Sequence, residues 1–206
     1  MSRKSRVCLL AVITLVSPVC GQSTFQNLDF EGAQIVLIDF NTVATTNALP
    51  GWTAFSGTNQ LSAVPYNNSA VINTVGLIGS NTFVISGSFS VLLAENGLIS
   101  QTGLVPADTQ MLLFKESSTS LSPLLVSLGG QNLSYTALSS GPNYTLYGAN
   151  VSTFAGQTAT LSFLGPSGGY LDDIQFAVPE PSTLALLGCG VTLLAGHLVR
   201  RCLKRK

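Results

Sequence analysis

The chain lacks cysteine and histidine throughout its central body. The four cysteines, Cys8, Cys20, Cys189 and Cys202, and the single histidine, His197, all fall in the two terminal segments. Residues 22–177 therefore contain neither. Disulfide stapling of that body is excluded, and so are Ser-His-Asp catalysis, Cys-His catalysis and any His-ligated zinc or iron site. A body of about 155 residues is large enough to be held by its core alone.

Positive charge is almost as scarce. Nine Lys and Arg balance nine Asp and Glu over 206 residues, but Arg3, Lys4 and Arg6 precede the first apolar run and five bases follow Val199. Lys115 is left alone against Asp29, Glu31, Asp39, Glu95, Asp108, Glu116, Asp172 and Asp173, so one base minus eight acids gives the body a charge of minus seven. A nucleic-acid-binding surface needs a basic patch to meet phosphates, and this body has none.

The first residues, "MSRKSRVCLLAVITLVSPVCGQS", have a basic head, an apolar stretch from Val7 to Val16 and small residues at Cys20 and Gly21. That pattern predicts a secretory signal peptide over 1–21, with a signal helix cut after Gly21 by signal peptidase. Two alternatives stand beside it. One is a lipoprotein processed at Cys20, for which Ser17-Pro18-Val19 is a poor lipobox. The other is an uncut membrane helix, for which the run is short.

Between the termini, short apolar stretches alternate with Gly, Pro, Asn and Ser: "AQIVLIDF", "FVISGSFSVLLA", "TQMLLFKES", "LLVSLGG", "NYTLYGANVS", "TATLSFLG" and "GYLDDIQFAV". These are strand lengths with turn residues between them. In "TATLSFLG", Ala159, Leu161 and Phe163 fall on one face and Thr158, Thr160 and Ser162 on the other. No stretch sustains a helical period for three turns. The fold class is therefore all-β over one domain, 22–177. A jelly-roll β-sandwich is preferred to an immunoglobulin-like one, because a Cys-Trp-Cys framework is lacking.

Trp52, the only tryptophan, follows the turn-forming pair Pro50-Gly51. It reads either as a core anchor or as a platform that stacks on a sugar ring. Tyr66 carries the same two readings, as do Tyr135, Tyr144 and Tyr147. With His and Cys gone, the catalysis left is by carboxylates alone, as in a glycosidase or lyase, and requires two carboxyl groups about 5 to 10 Å apart. Asp172 and Asp173 are strand neighbours whose side chains point to opposite faces, which leaves Glu31, Glu95 and Glu116 to converge. The sequons at Asn67, Asn132, Asn143 and Asn150 are expected by chance in a chain so rich in Asn, Ser and Thr.

"NLDFEG", "LPGW", "ISQTGLVP" and "YLDDIQF", in that order along the body, resemble β-sandwich domains related to galactose-binding modules. The resemblance implies a jelly roll whose first and last strands are neighbours. It also implies a structural calcium where those strands meet, at the matching positions Glu31 and Asp172 or Asp173. Calcium suits the acidic, oxygen-rich body. The other reading of these acids is that they blunt strand ends.

The tail begins "VPEPST" (178–183), continues with sixteen mostly apolar residues, 184–199, and ends in Arg200, Arg201, Lys204, Arg205 and Lys206. The apolar segment predicts a transmembrane helix, slightly short for a bilayer, with its basic end in the cytoplasm. Pro179 and Pro181 keep the preceding residues extended, a form that proteases grip. In these three parts, residues 178–206 resemble the PEP-CTERM sorting signal. That resemblance implies recognition by an exosortase at Val178, Pro179, Glu180 and Pro181, transient residence in the inner membrane of a Gram-negative bacterium, and delivery to the cell surface or extracellular matrix. The simpler alternative is a plain membrane anchor behind a proline linker.

The expectation is an exported, non-catalytic surface or matrix protein that binds extracellular polysaccharide. A purely structural component with protein contacts is the alternative, followed by a carboxylate-dependent glycosidase or lyase.

Overall fold

The computed structural model describes residues 24–68, 74–79, 83–117, 122–165 and 167–178. The expected signal segment 1–21, the processing residues Pro179, Glu180 and Pro181, the apolar segment 184–199 and the basic end 200–206 lie outside the described residues.

In chain order the strands are β1 Leu37–Asp39, β2 Thr42–Ala44, β3 Thr53–Ser56, β4 Asn59–Gln60, β5 Ala63–Pro65, β6 Val75–Gly79, β7 Phe89–Leu93 and β8 Gly97–Leu104. They continue with β9 Met111–Ser117, β10 Leu125–Leu128, β11 Gln131–Asn132, β12 Tyr135–Ser140, β13 Tyr144–Asn150, β14 Thr158–Leu164 and β15 Gly169–Ala177. Helix among the described residues amounts to one turn, α1 Thr45–Ala48, and a 3₁₀ turn, Ser152–Phe154. Nearly all of the regular secondary structure among the described residues is strand, as the short β-branched and aromatic runs predict.

Two six-stranded sheets dominate, one in the order β11-β10-β14-β8-β3-β4 and one in the order β12-β13-β9-β15-β7-β6. Neighbouring strands are antiparallel. The sheets face each other across one core, where Phe163 of β14 meets Phe114 of β9 edge-to-face with ring centroids 5.4 Å apart. Along β14 the buried residues are Ala159, Leu161 and Phe163, the face that the alternation predicts. A small third sheet, β1-β2-β5, continues toward the second large sheet through a parallel bridge between Tyr66 and Leu77.

The turn before β3 is of the kind that Pro50-Gly51 specifies. Trp52 N–H donates to the Leu49 carbonyl at 3.0 Å, and Gly51 takes φ +85°, where a side chain would be strained.

The first and last strands are not paired. β15 lies between β7 and β9, whereas β1 is the edge of the small sheet. The start and end of the body meet instead through the segment before β1, where Ile174 N–H donates to the Leu28 carbonyl at 3.0 Å. Left-handed backbone at Asn27 and Phe30 bends that segment away from an extended path, so it cannot run as a strand beside β15.

Candidate functional site

Trp52 lies in the core. It is 5 % exposed, packs between Phe30 and Phe163 at 5.9 and 6.4 Å, and donates its indole N–H to the Asn27 carbonyl at 3.0 Å. That is the anchor role, and it leaves no open indole face on which a sugar ring could stack. Tyr66 is half-buried against Phe89, 6.5 Å away, with its backbone bridged to Leu77.

Of the three acids suggested for calcium, two hold a loop of the protein itself and the third pairs with a lysine. Asp172 is fully buried on β15 beneath residues 84–90. Its Oδ2 accepts hydrogen bonds from Ser86 N–H at 3.0 Å and Ser90 Oγ–H at 2.7 Å, and its Oδ1 accepts from Asp173 N–H at 2.7 Å. Burial pushes its carboxyl up to about 7, against the pull of these donors toward the ionised form. On the other side of the loop, Glu31 Oε1 accepts from Ser88 N–H at 2.8 Å and Phe89 N–H at 3.0 Å. Gly87 sits between the two clamps at φ +60°, and a Cβ there would collide with the Glu31 carboxylate. Asp173 turns outward at a left-handed residue in a β15 bulge and forms an ion pair with Lys115.

Each of the three acids is thus engaged by protein donors or a protein cation, and their carboxylates do not converge. Among the described residues no three Asp, Glu, His or Cys side chains gather at one point. This donor set does not fit a calcium ion, which takes six or more oxygens around one centre. Glu95 is exposed at a turn, whereas Glu116 is buried on β9 beside Tyr135.

The sequence also left open Tyr135, Tyr144 and Tyr147. Tyr135 and Tyr147 meet edge-to-face at 5.1 Å beside Phe114 and line a groove of about 440 Å³ where the edge strands β10–β11 of one sheet and β12–β13 of the other come together. Leu124, Leu125, Leu133 and Asn132 complete its walls. The Tyr135 hydroxyl donates to the Leu124 carbonyl at 2.6 Å, which fixes the ring, and burial pushes its ionisation up. Tyr144 instead lies under Lys115, whose Nζ is 4.7 Å from the ring centroid. Sequence alone had no means of bringing Leu125 and Tyr147 together, since β10 and β13 belong to different sheets.

Three of the four sequon asparagines make side-chain hydrogen bonds within the body. Asn67 Oδ1 accepts from Gly79 N–H, Asn143 Nδ2 donates to the Val84 carbonyl, and Asn150 Oδ1 accepts from Ser152 N–H and Oγ–H. The Asn150 bonds are the local kind that Asn makes in turns, whereas those of Asn67 and Asn143 tie separate segments together.

The most unusual surface lies at the other edge. Ile35, Val36, Leu37, Ile38 and Phe40 are 36, 56, 55, 59 and 85 % exposed, along and beside β1. "AQIVLIDF" reads as a strand, but its period cannot tell how much of it is covered.

The body ends at Val178, half-exposed after β15, and there the comparison with known families begins. Residues 177–206 match the model of the PEP-CTERM protein-sorting motif. The tail is similar to a sorting signal. The match indicates an exported protein sorted to the cell surface and implies processing by an exosortase. It begins at the last residue of β15, so the signal follows the folded body directly. Comparison with curated proteins gives no match.

Proposed function

We propose that this chain is a non-catalytic surface or matrix component that acts by contact, exported by the signal peptide 1–21 and released to its destination through the motif at 178–181. The observation that carries this reading is the sorting match at 177–206, joined directly to a closed β body. The engagement of Glu31, Asp172 and Asp173 in holding a loop and an ion pair supports a non-catalytic body, since these carboxylates already serve the fold.

The test is mass spectrometry of the protein recovered from the cell surface and culture matrix. The expected species starts at Gln22 and lacks the apolar segment 184–199. A full-length chain found only in the cytoplasm would overturn the reading.

A second reading, binding of extracellular polysaccharide, is favoured by the Tyr135–Tyr147 groove, because rigid aromatic faces beside an amide suit a sugar ring. Leu125 is 55 % exposed on the groove wall, so Leu125→Asp should leave the fold intact while blocking the groove. Saturable binding of the host's own polysaccharide that is lost in this variant supports the second reading. Equal binding by both proteins, or by neither, removes it.

A further inference from the structure

We infer that two copies of this protein associate through their β1 edges, laying the strips Ile35–Phe40 antiparallel against each other about a two-fold axis. The inference rests on the contact reading above and names the partner as a second copy of the same chain.

Exposure is the first argument. Five large apolar side chains stand within six residues, and Phe40 is almost wholly in solvent. Free side chains of this size each expose about 150 to 200 Å². The strip therefore offers about 500 Å², at the upper end of the largest apolar patch on an ordinary monomer. Burying two such strips removes about 1,000 Å², the lower bound for a specific interface.

Topology is the second argument. β1 has β2 on one side and, among the described residues, no strand on the other. Edges of this kind are normally blunted by Lys, Pro or an inward charge. From Ala33 to Ile38 the chain has none of these. Two blunting devices remain, the charge of Asp39 at the end of β1 and a bulge between Leu37 and Asp39, which makes Ile38 the extra residue opposite β2. Regular pairing is thus interrupted at Ile38, and the contact falls to the side chains of Ile35 to Ile38 and Phe40.

Charge is the third argument, and it restricts where two copies can meet. The body carries minus seven overall, so a second acidic copy is repelled from most of the surface. The strip is uncharged from Ile35 to Ile38, and Asp39, before Phe40, is the one charge it carries. An antiparallel match places each Asp39 at opposite ends of the contact, away from its twin. Isologous pairing is also the commonest closed arrangement of identical chains, and it stops at two.

The body 22–178 is the form to test, because every buried apolar residue of the described core lies between Phe30 and Ile174 and the last strand of each large sheet ends by Ala177. Sedimentation should show a shift from one copy to two between about 1 and 100 μM, the affinity of a weak, reversible dimer. Ile38→Lys should remain monomeric at the highest concentration with an unchanged melting temperature, since the side chain is already 59 % exposed. The body has no cysteine, so a single introduced thiol can only bridge two copies. Oxidised Val36→Cys, Leu37→Cys or Ile38→Cys should give a covalent dimer, whereas Phe83→Cys, exposed elsewhere, should not.

A wild-type body that stays monomeric at about 100 μM and fails to cross-link at all three strip positions would overturn the dimer. In that event, cell-surface retention of the full-length protein decides the parent reading. Loss of retention in Ile38→Lys keeps a contact role with another partner, and equal retention removes the strip from the contact reading as well.

Discussion

Replacing Asp172 by Asn should flatten the pH dependence of stability between about pH 4 and pH 7. Asp172 is fully buried and its carboxyl is raised from 3.8 to about 7, with burial as the leading cause. Between these values the folded chain holds a proton that the unfolded chain has released. Stability then falls as pH rises through that window, and the group's full contribution is present only below about pH 4. The slope approaches 1.4 kcal/mol per pH unit, and the gap between the two values corresponds to about 4 kcal/mol. Asn keeps the size and an acceptor for Ser86 N–H or Ser90 Oγ–H but does not titrate. Urea unfolding of both proteins across the window gives the difference in free energy at each pH. The difference should shift in favour of the Asn variant by about 2 to 4 kcal/mol from pH 4 to pH 7. A difference constant to within about 0.5 kcal/mol would refute a buried, titrating clamp under residues 84–90.

The loop also predicts that Gly87→Ala costs about 1 to 3 kcal/mol, from a left-handed residue and a collision with Glu31. An unchanged denaturation midpoint would contradict that geometry. Trp52→Ala should cost about 3 to 5 kcal/mol by emptying the space between Phe30 and Phe163. A surface platform would lose far less. Chelator should leave the melting temperature of the body unchanged, because Glu31, Asp172 and Asp173 are engaged by Ser86 to Ser90 and Lys115. A drop restored by calcium would show that these acids rearrange around an ion.

The parts of the fold that were legible in the sequence are those where one face is wet and the other dry. In β14 the alternation names the buried residues Ala159, Leu161 and Phe163 directly. β12 carries no such contrast, because it is an edge strand with five of its six residues exposed. β6 has none for the opposite reason, being buried on both faces with glycine at two of five positions. At the candidate sites, residue types identified the acids but not their partners. The donors that hold Glu31 are backbone N–H groups of Ser88 and Phe89, more than fifty residues away, and any residue but proline carries such a donor. The acidity that suggested calcium is the same whether a carboxylate meets an ion or a loop. The strip on β1 was visible as an apolar run, yet coverage is a property of what packs against it, and only the sheet order reveals an open edge.

The most direct test of the account compares the full-length protein with a variant in which Pro179, Glu180 and Pro181 are all replaced by Ala, following both through cell fractionation. The account predicts that the wild-type protein reaches the surface or matrix without its apolar segment, while the variant stays in the membrane fraction at unprocessed size. Identical size and location for the two proteins would contradict sorting through that motif, and with it the claim that the tail directs this β body to the cell surface.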